Sequence, residues 1–444
     1  MLVVPFVDRF FDRIKPTICD DSVDRLNYYF TSLLLMFFAL MVAGKQFVGN
    51  PIHCWVPAEF KGAWEDYTEA YCFVENTYHV SWEAPIPSST EERDSQKISY
   101  YQWVPIVLVI QAVMFYLPNF IWKTFSNQSG INLKTIITTA HEAKGMKSFE
   151  DKQKILKELA LYIKESLNCE TSTDSHGFLC LRMGRDLGSF MSSLYLLVKL
   201  LYIGNVALQF LLMQAFIGSR YTFWGVQILT DLYNGRDWQV TGHFPRVTLC
   251  DFDVRVMGNV QHHTVQCVLM INLFNEKIYL LLWFWTGVVG FVTLINFFIW
   301  TFKLIITPNR TSAVAKYLKI EPTDNFDPTY LPTRKQIAKF ADSWLKPDGV
   351  LILKFVGSHA GEVVAAKLSR ALFDHFIRFE RIRRSLSQDY SLHPLNAEHD
   401  GIWKAPSELQ IDEAVDVDTD SSDLRPARIG GPGAVHFSPH LVDA

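Results

Sequence analysis

Residues 26–44 read LNYYFTSLLLMFFALMVAG, a stretch that contains no charged side chain. An α-helix rises about 1.5 Å per residue, so about 20 residues cross a hydrocarbon core of about 30 Å. A buried helix of a water-soluble protein would carry a continuous polar stripe at helical spacing, and this stretch has none. It therefore predicts a membrane-spanning helix.

Three further apolar runs follow, and together the four predict an all-α membrane protein with four transmembrane helices. The predicted spans are residues 26–46, 102–124, 190–217 and 278–303. The third span contains Lys199, and a lysine at the bilayer centre costs about 3 kcal/mol. Because Lys199 lies near the beginning of its run, we expect it to reach the interface or to meet a partner there. A role in conduction is the alternative.

The distribution of charge predicts how the chain crosses the membrane. With 42 basic and 46 acidic side chains among 444 residues, the chain has no basic footprint for nucleic acid. Its first 25 residues lack the apolar run of a cleavable signal peptide, so we expect the first span to direct insertion. Lysines concentrate between spans two and three and after span four. The positive-inside rule then predicts cytoplasmic termini, a cytoplasmic loop at 125–189, and extracellular loops at 47–101 and 218–277.

The seven cysteines divide between the two predicted sides of the membrane. Two fall in each predicted outer loop: Cys54, Cys72, Cys250 and Cys267. Cys19, Cys169 and Cys180 fall on the predicted reducing side and need no partners. The four outer cysteines are expected to form disulfides, with all three pairings open. Their spacing is too wide for a zinc knuckle, so we expect no metal and no cofactor.

A run of residues at the start of the second span resembles the signature of the innexins. It consists of Tyr100, Tyr101, Gln102, Trp103, Val104 and Pro105. Further matches follow the family's order in both outer loops, including residues 49–55, 71–73, 241–247 and 266–269. Two cysteines per outer loop distinguish the chain from connexins, which have three. The resemblance covers residues from about 20 to about 370.

This resemblance implies a subunit of gap-junction channels in the plasma membrane. It implies a ring of copies of this chain, eight if this member follows the family, docked onto a ring in the apposed cell. The outer loops would be braced by disulfides and contain some β-structure. Other innexins and membrane lipid are the further expected partners. Ions and small molecules would pass by diffusion.

The N-terminal residues 1–25 are predicted to form a short amphipathic helix. Its apolar positions, which recur at helical spacing, include Val3, Phe6, Val7 and Phe10. Such a helix could lie on the inner leaflet. The innexin resemblance implies instead that these residues line the pore mouth. Within the second span, Pro105 and Pro118 each remove a backbone donor, which fits either a structural bend or a gating hinge.

The segment after the fourth span, residues 304–384, is predicted to be a helical cytoplasmic domain. Asp348, Gly349 and Val350 suggest a turn inside it, and residues 360–379 an amphipathic helix. Residues 385–444 are predicted to be disordered from their Ser, Asp, Pro and Gly content. No nucleotide-binding, zinc-protease or hydrolase motif occurs, so we expect no enzymatic activity.

Two alternatives to a docked channel remain open from the sequence. An undocked hemichannel would release small molecules, although the outer loops lack the glycosylation sequons that would obstruct docking. A subunit that conducts only in hetero-oligomers with other innexins would leave no readable motif.

Overall fold

The computed structural model of the chain describes residues 20–80, 85–126, 130–172, 188–217, 225–226, 230, 233, 244–320 and 332–392. The predicted pore-lining residues Val3, Phe6, Val7 and Phe10 lie outside this part, as do Cys19, Cys180 and residues 393–444. The chain up to Phe379 forms one compact unit, and a second begins at Glu380.

Long helices and a small sheet make up the described part. In chain order the elements are α1 Ser22–Phe47, β1 His53–Trp55, α2 Gly62–Glu75, β2 Thr77–Tyr78, α3 Thr90–Ser95, β3 Lys97–Ile98, α4 Tyr100–Ser126, α5 Leu133–Gly145, α6 Phe149–Ser172, α7 Phe190–Ile217, β4 Val247–Val256, β5 Asn259–Val268, α8 Met270–Ile305, α9 Thr307–Ile320, α10 Arg334–Lys339, α11 Lys346–His359 and α12 Glu362–Leu392.

Four of these helices, α1, α4, α7 and α8, are long and apolar enough to cross a membrane. The predicted fold class, an all-α membrane protein with four spans, is confirmed. Between 39% and 44% of the most apolar window of each is buried within the chain. Most of their apolar surface therefore faces outward, where lipid or a neighbouring subunit can cover it. Both Pro105 and Pro118 lie inside α4 with buried side chains, and the helix continues through them.

The segments between α1 and α4 and between α7 and α8 combine in one five-stranded antiparallel sheet. Its strand order is β1-β5-β4-β2-β3. Strands β4 and β5 form a hairpin in which Val247 pairs with Val268 and Val256 with Asn259. Met257 and Gly258 make its turn with φ of 49° and 84°, the left-handed conformation that a tight two-residue hairpin requires.

The opposite ends of the four spans join a helical domain built from α5, α6, α9, α10, α11 and α12. Its core buries Ile136, Ile163, Leu351, Phe355 and Phe373, all with no more than 1% of the residue exposed. The same apolar cluster continues into the adjoining ends of α4, α7 and α8 through Trp122, Tyr195 and Trp300. The spans and this domain thus share one core.

The turn predicted at Asp348, Gly349 and Val350 is wrong, because these residues lie inside α11. Glycine in a helix costs about 1 kcal/mol relative to alanine, which is why it favoured a turn. Here a Cβ on Gly349 would lie only 2.9 Å from the Leu345 side chain, which would have to shift, so glycine suits the close packing at this position.

Helix α12 reaches Leu392, beyond the boundary at 384/385 where the predicted tail began. No glycine or proline interrupts the sequence between Gly361 and Pro394, so nothing in the backbone chemistry ends the helix earlier.

Candidate functional site

Two disulfides hold the sheet together. Cys54 bonds to Cys267 and Cys72 bonds to Cys250. Each therefore joins the segment between α1 and α4 to the segment between α7 and α8, across 213 and 178 residues of sequence. Closing such long loops restricts the unfolded chain strongly, a stabilisation typically of about 2–5 kcal/mol per disulfide.

The strand register brings the first pair together. Cys54 on β1 lies directly opposite Cys267 on β5 in the antiparallel ladder. Cys72 reaches Cys250 of β4 from helix α2. All four cysteines are buried, and the sulfurs of Cys54, Cys72 and Cys267 lie within 4.8 Å of one another. Because every one is in a disulfide, none offers a thiolate to a metal ion.

The signature hexapeptide connects the start of α4 to the end of α2. The Tyr101 hydroxyl donates to the Phe73 carbonyl at 3.0 Å. The Gln102 amide nitrogen donates to the carbonyls of Phe73 and Val74 at 2.7 and 3.0 Å, and to the Asn76 side-chain oxygen at 3.0 Å. These donors satisfy carbonyls in the last turn of α2, which have no partner within their own helix.

The other signature residues divide between the protein core and the outer surface. Val104 and Pro105 are buried with Tyr101, and Tyr100 packs its ring against Phe216 and Phe244. Trp103 is 56% exposed, as an aromatic residue at a membrane interface would be. The sequence alone did not indicate that the signature caps a neighbouring helix.

At the other end of the spans, Lys199 lies at the centre of a buried charge cluster. Its ammonium nitrogen donates to Asp24 Oδ1 at 2.8 Å, to Asp21 Oδ2 at 3.0 Å and to Asn296 Oδ1 at 2.6 Å. The side chain is fully buried, and the Tyr195 ring centroid lies 4.9 Å from the ammonium. Lys199 therefore meets a partner, as one of the expectations from the sequence held, and the partners belong to this same chain.

The carboxylates of this cluster are themselves held by further donors. Asp21 Oδ2 also accepts from the Asn296 amide at 2.8 Å and from the Trp300 indole at 3.1 Å. The Tyr195 hydroxyl donates to Asp24 Oδ2 at 3.3 Å. A buried ion pair offsets its desolvation only when such hydrogen bonds complete it. The cluster therefore fixes the start of α1 against α7 and α8.

More contacts hold the first turns of α1. The Asn27 amide donates to Thr293 Oγ1 at 2.8 Å, the Trp285 indole to Thr31 Oγ1 at 3.0 Å, and the Tyr28 hydroxyl to Asp20 at 2.5 Å. Leu26–Thr31 is a π-helical segment, a helix irregularity that occurs often at functional positions. The point where the N-terminal segment leaves the first span is thus firmly anchored.

The helical domain fixes the third span through Asp348. Its carboxylate on α11 accepts from the backbone N–H groups of Met191 and Ser192 at 3.1 and 2.7 Å, in the first turn of α7. These are donors that a helix start leaves without partners. Burial raises the pKa of Asp348, although the Ser192 and Met191 hydrogen bonds oppose that rise.

Four apolar spans, a disulfide-bonded sheet at one end and a helical domain at the other define a multi-pass membrane protein whose loops are covalently braced. A family model described as Innexin matches residues 20–376. The chain belongs to the innexin family. It is 44% identical to Innexin-3 of Caenorhabditis elegans over 374 residues, which span 84% of this chain and 88% of that protein.

Two other innexins from the same organism are also similar to this chain over most of its length. Innexin unc-9 is 41% identical over 80% of this chain and 92% of its own length. Innexin eat-5 is 36% identical over 83% of this chain and 89% of its own length. The family match and these relatives confirm the resemblance carried by the signature residues, and members of this family are channel proteins of the plasma membrane.

Proposed function

We propose that this chain is a subunit of gap-junction channels that pass ions and small molecules between adjacent cells. The observation that carries the proposal is the disulfide-bonded sheet, which joins the two loops at one end of the four spans into a single rigid body. A ring of such bodies offers a preformed surface for a ring in another membrane, because little conformational entropy is then lost on docking.

The sheet end is proposed to face the extracellular space and the helical end the cytoplasm. Disulfides persist in oxidising surroundings, which favours the sheet on the outside. The lysines of α5 and α6 favour the helical end on the inside. Trp55, 83% exposed on the edge strand β1, and Met257, fully exposed at the hairpin turn, are available for contacts with another subunit.

The assembly is proposed to be a homo-oligomeric ring, an octamer if it follows the family, that docks with a second ring. The N-terminal residues Val3, Phe6, Val7 and Phe10 are proposed to line the pore mouth. The anchoring of Asp21 and Asp24 supports this, since it fixes the position from which that segment departs. No catalytic role is proposed.

Dual voltage clamp of two abutting cells that express only this protein tests the proposal. We expect junctional conductance well above that of control pairs, with little current in single cells. Leaky single cells without junctional conductance would support the undocked hemichannel instead. If neither junctional conductance nor single-cell current is measured, although the protein is detected at the surface, a subunit that needs another innexin would be supported.

A further inference from the structure

Two lysines at the helical end of the fourth span share one tryptophan. The ammonium of Lys303, in the last turn of α8, lies 5.7 Å from the ring centroid of Trp300, and that of Lys354 on α11 lies 5.8 Å from it. Trp300 itself is buried, with Phe355 stacked against it at 5.7 Å. A cation over an indole face is attracted by the ring quadrupole, so the indole holds both lysines in place.

Neither ammonium has an ion-pair partner among the residues that the structure describes, in contrast to other lysines nearby. Lys199, 6.0 Å from the same indole, is neutralised by Asp21 and Asp24. Lys316, on the following helix, pairs with Glu362 at 2.7 Å. The indole N–H donates to Asp21, so that carboxylate is already used within the Lys199 cluster. Lys303 and Lys354 therefore present an uncompensated positive pair.

The position of this pair fits the headgroup layer of a membrane. Around Lys303, the apolar side chains Ile299, Phe302 and Ile306 are 42%, 54% and 37% exposed, as expected for residues facing acyl chains. A lysine at the end of such a span lies at the depth of the lipid phosphates. Lys354 is half-buried, and burial and then the charge of Lys303 lower its pKa to about 8. An anion bound between the two lysines would favour the charged form of Lys354, because it would offset both the desolvation of this ammonium and its repulsion by Lys303.

We propose that Lys303 and Lys354, held by Trp300, bind the phosphate monoester of an anionic membrane lipid in the leaflet at the helical end of the spans. The ammonium groups would contact the phosphate oxygens while the acyl chains lie along the exposed apolar residues of α8. This site adds a lipid ligand to the proposed channel function and does not depend on conduction. Its occupant would join the fourth span to α11 of the helical domain.

Native mass spectrometry of the full-length detergent-solubilised protein tests the site, with dioleoyl phosphatidic acid as the probe and dioleoyl phosphatidylcholine as the neutral comparison. We expect phosphatidic acid to bind more tightly, and the K303Q/K354Q variant to lose at least about tenfold in affinity. K303R/K354R should retain binding, because it keeps both charges. The matched control K319Q/K335Q removes two exposed lysines of the helical domain that contact no aromatic ring in the described part.

Equal loss in K303Q/K354Q and K319Q/K335Q would show that only net charge matters and would overturn the site, as would no loss in either. Inorganic phosphate at millimolar concentration distinguishes a lipid from a free anion. If it displaces phosphatidic acid completely, the ligand is a soluble phosphate and the lipid assignment fails. If it does not, the lipid assignment stands. An oligomer that remains intact in K303Q/K354Q excludes misfolding as the cause of lost binding.

Discussion

The ammonium nitrogen of Lys199 lies 2.8 Å from Oδ1 of Asp24, although 175 residues separate them in sequence. One residue belongs to the third span and the other to the first turn of the first span. The Lys199 side chain has no exposed surface, so its charge is compensated only by the groups that surround it. The pair fixes how α1 begins relative to α7.

Replacing Lys199 by Met is expected to destabilise the protein. The substitution leaves Asp21 and Asp24 without their cation, and breaking a buried pair from one side costs about 3–5 kcal/mol. The melting temperature in detergent and the amount of protein at the cell surface should both fall. K199M/D24N should be more stable than K199M, because it removes one of the two orphaned charges. A K199M protein as stable as the wild type would contradict the role of the cluster.

The disulfide pairs give a prediction of covalent connectivity. Peptide mapping without reduction should recover Cys54 linked to Cys267 and Cys72 linked to Cys250. C54S should abolish junctional conductance, and C54S/C267S should be no worse than either single variant, because each single variant already lacks the same bond. Replacement of Cys19, Cys169 and Cys180 together should leave conductance measurable. Retained coupling in C54S, or its loss in the triple variant, would argue against this arrangement.

The Gln102 cap predicts a specific sensitivity within the signature. Q102L removes the donor to Phe73, Val74 and Asn76. The Val74 carbonyl and the Asn76 side-chain oxygen then lose the Gln102 hydrogen bond, whereas the Phe73 carbonyl keeps the one from the Tyr101 hydroxyl. Each unsatisfied group costs about 1–3 kcal/mol if it is kept from water. We expect a lower melting temperature and reduced coupling. W103L, one residue further on at an exposed position, is the control and should behave like the wild type. Equal effects of the two substitutions would refute the cap.

The lowered pKa of Lys354 predicts a pH dependence of lipid binding. Burial followed by the charge of Lys303 brings this pKa to about 8, from the ordinary lysine value of 10.5. The charged form that attracts phosphate therefore predominates at pH 7, is half lost at about pH 8 and is the minor form at pH 9. Affinity for phosphatidic acid should be lower at pH 9 than at pH 7, relative to K354R measured at the same pH.

The comparison with K354R removes the titration of the lipid itself from that result, because both proteins meet the same phosphate at each pH. The titration of Lys354 also affects the free energy of unfolding. Since the folded pKa lies below that of the unfolded chain, the charge on Lys354 costs stability below pH 8, and that cost disappears between pH 8 and about 10.5. A constant ratio of the two affinities between pH 7 and 9 would contradict the lowered pKa of Lys354.

The sequence predicted the type of several of these features but not the contacts that their residues make. The apolar runs predicted all four spans, because hydropathy is a sum over neighbouring residues and needs no knowledge of the fold. Yet Asp348 and Gly349 were taken for a turn, since local propensity favours one there. In the structure both residues are helical, Leu345 packs closely against Gly349, and Asp348 accepts from the first turn of α7.

By itself, the sequence determined the number of spans, the set of four cysteines and the family. These follow from residue types and their spacing along the chain. Only the tertiary structure decided that Cys54 meets Cys267, that Asp21 and Asp24 neutralise Lys199, and that Lys303 and Lys354 share Trp300. Each of these depends on a distance between groups far apart in sequence. Such distances are set by how helices and strands pack together, which no local pattern of residues specifies.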